Sequence, residues 1–152
     1  MTTSMIDEPM EATDSYADRI DLHSAQLREE LQDTVLGHRE ALNDLYDFYY
    51  DCREPNWDGF GAEPVGEASL LKAYNLIRSL PLGYPRPSIG AEPDGQITLE
   101  WYRNPNRVLS VSVDPRGVLH FAGLFGADKQ SGRITIFPDE TPDELIHLVR
   151  KI

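Results

Sequence analysis

The positions Leu27, Leu31, Val35, His38, Leu42, Leu45 and Tyr49 follow one another at steps of three and four, so the spacing predicts one stripe of a long amphipathic helix within residues 15–54. Gly37 interrupts that helix, and a glycine costs about 1 kcal/mol against alanine in a helix interior, so a kink or a split into two helices is expected there. Residues 1–14 are polar and acidic without periodicity, the composition of a disordered tail. A second helix is predicted over 67–80, with Leu70, Ala73, Ile77 and Leu80 inward and Pro81 as its stop.

The period then changes from 3.6 to 2. Ile97, Leu99 and Trp101 alternate with Thr98 and Glu100, and Leu109, Val111 and Val113 alternate with Ser110 and Ser112. Further strands are predicted at 118–125, the most apolar run and therefore a central one, at Ile134–Phe137, and in short form at Ser88–Ala91. The links Pro93-Asp94-Gly95, Asn104-Pro105-Asn106 and Asp114-Pro115-Arg116-Gly117 carry turn chemistry and are short, which implies antiparallel neighbours. Thr141-Pro142-Asp143-Glu144 reads as a capping box opening a last helix over 142–151, with Leu145, Leu148 and Val149 inward. The expected fold is α+β. An antiparallel β-meander of four to five strands over 88–137 packs against helices in a domain spanning 55–152, preceded by the long acidic helix.

Charge changes this picture. The 152 residues carry a net charge of −12. Residues 1–64 hold sixteen acids against four basic residues, whereas residues 65–152 hold ten of each. A surface built to track nucleic-acid phosphates or anionic lipid would need the opposite balance. No apolar run approaches the roughly 18 residues of a membrane span, no secretory signal pattern opens the sequence, and the single Cys52 suits a reducing compartment. A cytoplasmic location is expected.

On the long helix Glu29, Asp33, Glu40, Asp44, Asp47 and Asp51 line the face opposite the apolar stripe. The pairs 29/33, 40/44 and 47/51 are like-charged i,i+4 neighbours costing roughly 0.2–0.5 kcal/mol each, and no lysine or arginine answers them at i+4. The stripe is therefore expected to meet a cationic partner, with Tyr46, Phe48 and Tyr50, off the apolar stripe, as its anchors. A solvated acidic face is the simpler account of the same residues. Mimicry of nucleic acid would need more charge. Duplex DNA carries one charge per about 1.7 Å, whereas the stripe carries about one per 5–6 Å of helix, so a mimic would have to act as a dimer or a curved bundle.

The segment Asn56-Trp57-Asp58-Gly59-Phe60-Gly61-Ala62, followed by Pro64-Val65, is the most distinctive local sequence. Trp57, Asp58 and Phe60 form a candidate loop site for a polar or planar group. Alternatively, Trp57 plugs the core, Asp58 caps the turn and the glycines supply left-handed backbone. Together with Asp94-Gly95-Gln96-Ile97-Thr98-Leu99-Glu100-Trp101, the segment resembles a group of small bacterial proteins that pair an NWDG-G-A-PV stretch with a DG-I-LEW strand. The resemblance covers roughly residues 55–125. It implies a setting in mobile or strain-variable gene neighbourhoods, where toxin–antitoxin pairs and inhibitors of host defence are common, and it carries no catalytic residue across.

Enzyme chemistry finds little purchase. His23, His38, His120 and His147 stand far apart with no metal-binding spacing. Cys52 lies beside Asp51 and Glu54, which disfavour a thiolate. An Asp/His site assembled by the fold, with Asp58, His120 and another acid converging on one deep pocket, is the enzymatic alternative. The expectation is a non-enzymatic module without cofactor or metal that docks on a basic protein partner, such as a nuclease, a toxin or a nucleic-acid-binding effector. It makes no direct contact with nucleic acid or membrane, and a homodimer through the meander is a further expectation.

Overall fold

The structure, a computed structural model, describes residues 38–152 with the exception of residue 139. The first helix, α1, is described over residues 38–52. The part expected over 15–37, its kink at Gly37 and the expected tail over 1–14 lie outside the described residues. Helix α2 spans Glu67–Ser79, followed by strands β1 (Ser88–Ala91), β2 (Ile97–Asn104), β3 (Arg107–Val113), β4 (Val118–Phe125) and β5 (Asp128–Thr135), and by helix α3 (Asp143–Val149). The five strands form one antiparallel sheet in the order β1-β2-β3-β4-β5. This is the α+β meander that the alternation predicts, and β4, the most apolar run, is an interior strand paired on both sides.

One face of the sheet builds the core. Ile97, Leu99, Trp101, Leu109, Val111, Val113 and Leu119 are fully buried there, in one cluster with Ala41, Leu45 and Cys52 of α1, Leu76 and Ile77 of α2, and Leu145 and Leu148 of α3. Residues i and i+2 share a face of a strand, so Thr98, Glu100, Ser110, Ser112, His120 and Ala122 stand on the opposite face. Trp101 is the largest fully buried side chain, and its Nε1 donates to the Pro85 carbonyl at 2.8 Å, so a full indole is buried without an orphaned N–H.

Two hairpins share one chemistry. In Glu92-Pro93-Asp94-Gly95-Gln96 the Glu92 N–H donates to the Gln96 carbonyl, and the Gly95 N–H donates to the Glu92 carbonyl. Asp114-Pro115-Arg116-Gly117-Val118 repeats both bonds. Each ends in a glycine at φ +87, a left-handed residue that an L side chain would strain. Gly95 has a second constraint: a Cβ there would lie 2.7 Å from the Pro64 carbonyl oxygen. That close approach seats the segment after Trp57 on the β1–β2 turn.

Three expectations are corrected. The fourth predicted strand, Ile134–Phe137, is in fact β5 over Asp128–Thr135. Of its eight residues only Ile134 is buried, so an edge strand held by pairing with β4 carries almost no hydrophobic signature. On α1 the fully buried positions are Ala41, Leu45 and Cys52, while His38, Leu42 and Tyr49 are only half-buried. The inward face is thus shifted from the expected stripe toward Ala41 and Cys52, two small side chains that mark it only weakly in the sequence. Finally, Thr141 does not cap α3. The helix begins at Asp143 with no side-chain cap, and the Thr141 hydroxyl donates to the Ser79 carbonyl at the end of α2, at 2.6 Å.

Candidate partner-binding face

The acidic face of α1 divides in two. Arg86, in the proline-rich segment between α2 and β1, donates through one terminal nitrogen to Glu40 Oε2 at 2.6 Å and through the other to Asp44 Oδ2. The bond to Asp44, more than any other contact, holds the guanidinium firmly protonated. The cation sought on the helix at i+4 is supplied from more than forty residues away, so Glu40 and Asp44 are internal partners rather than free contact residues. Glu29 and Asp33 lie outside the described residues.

Asp47 and Asp51 remain. Both are exposed, and neither forms an ion pair among the described residues. They sit in the last turns of α1, where the helix dipole disfavours an anion by about 0.3–1 kcal/mol. Tyr46 and Tyr50, an i,i+4 pair beside them, are 60% and 63% exposed. The guanidinium of Arg53 lies 3.9 Å from the centre of the Tyr50 ring, a cation–π contact that steadies that side chain. Phe48 is a correction: it is half-buried against the core, edge-on to Trp57 with ring centroids 6.4 Å apart, and so is a packing residue rather than an anchor. Cys52 is buried on the inner side, and burial first, then the Asp51 charge, pushes its thiol up and away from nucleophilic use.

The loop after α1 is braced by its own polar groups. The Asn56 N–H donates to the Ala62 carbonyl and the Gly59 N–H to the Asn56 carbonyl, while the Asn56 Oδ1 accepts from the Gly61 N–H at 2.7 Å. Asp58 Oδ1 accepts from the Phe60 N–H at 2.8 Å and the Ala62 N–H at 3.0 Å. The Phe60 bond is the chief reason that the carboxyl stays below the usual carboxylate range. Trp57 is half-buried and its Nε1 donates to the Glu63 carbonyl at 2.8 Å. Trp57 and Asp58 thus serve the loop itself. Phe60 does not: it is 93% exposed at the tip.

The loop closes back through the Val65 N–H to the Cys52 carbonyl and the Glu63 N–H to the Pro93 carbonyl. This joins the end of α1, the loop and the β1–β2 turn at one end of the strands, where Asp51, Glu54, Glu63 and Asp94 are all exposed. The other end is basic. Arg103 donates to the Ile152 carbonyl at 3.2 Å and Arg107 to the Lys151 carbonyl, satisfying oxygens after the last turn of α3. Arg150 donates to the Tyr84 hydroxyl at 2.6 Å, and Lys151 lies over the Phe125 ring. Among the described residues none of these four cations forms an ion pair with an Asp or Glu side chain. The near-neutral C-terminal half foretells their number but not their gathering at one end.

Asp58 and His120, the pair behind the enzymatic alternative, are not hydrogen-bonded to each other. Asp58 Oδ1 is committed to backbone N–H groups, and His120 Nε2 lies 4.0 Å from Asp114 Oδ2. The Asp114 carboxylate, 7% exposed, is taken chiefly by Arg116, whose side chain and backbone both donate to it and hold it below the usual range. Comparison of the chain with protein-family models, with curated proteins and with solved structures finds no match.

Proposed function

We propose that this protein is a non-enzymatic, cytoplasmic binding module that presents the outer face of α1 to a basic surface on a protein partner. One observation carries the reading: Asp47 and Asp51 form a like-charged pair with no ion-pair partner among the described residues, beside the C-terminus of a helix and flanked by the exposed rings of Tyr46 and Tyr50. Solvent-facing tyrosines are among the side chains that most often anchor an interface. The same helix, one turn earlier, has its charges answered by Arg86. The charges would set encounter rate and salt dependence, and the rings most of the affinity. The resemblance to small bacterial proteins of mobile gene neighbourhoods favours an antitoxin, an immunity protein or an inhibitor of a nucleic-acid-acting effector.

The test is a pull-down from the native host with the wild type and with Asp47→Lys/Asp51→Lys, at low and moderate salt. Glu40 and Asp44 are left unchanged because reversing them would break the Arg86 contacts and confuse folding with binding. A basic protein that is captured by the wild type, weakened by salt and lost in the variant supports the reading. Equal capture by both forms overturns it.

A further inference from the structure

Phe60 is the most exposed large apolar side chain among the described residues. Scattered exposed apolar residues are ordinary, but this one stands on a loop whose hydrogen bonds hold its backbone in one conformation. The Phe60 N–H is bound to Asp58, and the N–H groups of Gly59 and Gly61 on either side are bound to Asn56. Beneath the loop, Trp57 is pinned by Glu63 and packed edge-on to Phe48. None of these bonds uses the Phe60 ring. The loop would hold the same shape with a polar residue at its tip, so the ring adds nothing to the fold. It is presented to solvent on a backbone whose ordering cost is already met, as in preorganised aromatic anchors.

We infer that Phe60 is an apolar anchor that enters an apolar pocket on a partner protein, with basic side chains around the rim of that pocket. The rim chemistry follows from the surroundings: Asp51, Glu63 and Asp94 are exposed at this end of the molecule and form no ion pair among the described residues, while Arg53 is engaged by Glu54 at 3.9 Å and by the Tyr50 ring. The same acids disfavour an anionic lipid surface as the occupant. The anchor rests on the α1 reading for the identity of the partner, which it shares, and adds a second contact region at the helix end.

The experiment places photoreactive p-benzoylphenylalanine at position 60 of the full chain, and separately at exposed Leu71 on α2 as a control. Extract of the native host is irradiated, and the protein cross-linked from position 60 alone is identified, purified and titrated against variants. Phe60→Ala is expected to leave the melting temperature unchanged and to weaken affinity by about thirty-fold, the change that marks a hot spot. Phe60→Leu is expected to retain most of the affinity. Loss of binding in Asp47→Lys/Asp51→Lys with less than two-fold change in Phe60→Ala would overturn the anchor and leave the α1 reading intact. The reverse pattern would keep the anchor and refute that reading. The same cross-links from positions 60 and 71, or Phe60-dependent sedimentation with phosphatidylcholine vesicles, would overturn the inference.

Discussion

Arg86 and Asp44 stand 42 residues apart in the chain and meet as a hydrogen-bonded ion pair that fastens the segment before β1 to the outer side of α1. With Glu40 as its second acceptor, the guanidinium neutralises an i,i+4 acid pair that would otherwise repel. All three side chains are 42–58% exposed, so screening keeps the contribution modest. Arg86→Ala is expected to lower stability by about 0.5–1 kcal/mol in low salt, and the difference from wild type should shrink as salt is added. Urea unfolding at two ionic strengths checks both parts.

Asp58 and Asp114 both have folded-state values below the ordinary 3.8. A depressed carboxyl contributes stability that is fully present above its unfolded value and is lost as pH falls through the folded one. Stability should therefore be flat with respect to these groups from neutrality down to about pH 5 and fall below about pH 4. Asp58→Asn should lose loop stability at neutral pH and show a shallower acid slope. Unfolding midpoints from pH 7 to pH 3 for the wild type, Asp58→Asn and Asp114→Asn test this.

Gly95 and Gly117 share the same φ but not the same surroundings. An added Cβ at Gly95 would lie 2.7 Å from the Pro64 carbonyl oxygen, whereas at Gly117 the nearest atom is 3.6 Å away. Gly117→Ala should cost about 1–2 kcal/mol for the left-handed backbone alone. Gly95→Ala should cost more, because backbone must shift, and should also loosen the Trp57 loop. Thermal unfolding ranks the two, and amide exchange at Glu63 reports the loosening.

Thr141 joins α3's approach to the end of α2. Thr141→Val should cost about 1 kcal/mol through the lost bond to the Ser79 carbonyl, and Thr141→Ser should restore it. Glu144→Ala should be nearly neutral, since no capping box forms. Parallel denaturation curves for the three variants separate this tether from a helix cap.

The alternation in β2 and β3, the two x-Pro-x-Gly turns and the stop at Pro81 act through neighbours in the chain, and so the meander, its hairpins and the span of α2 were legible in the sequence. The existence of α1 was legible for the same reason, because a 3.6-residue period belongs to the chain itself. Its rotation was not, since the side of a helix that is buried depends on the surfaces packed against it, and Ala41 and Cys52 are small residues that mark that side weakly. β5 was not legible either: its strand character comes from β4's hydrogen bonds, and an exposed edge buries too little to leave a pattern. The acids of the candidate face were plain by type and spacing, but which of them are free was decided by Arg86, an unmarked cation in a proline-rich segment. The gathering of Arg103, Arg107, Arg150 and Lys151 at one end, and the isolation of the Phe60 ring at the other, are likewise tertiary. Local propensity and periodicity are properties of neighbouring residues, whereas exposure, charge pairing and polarity depend on which distant segments are brought together.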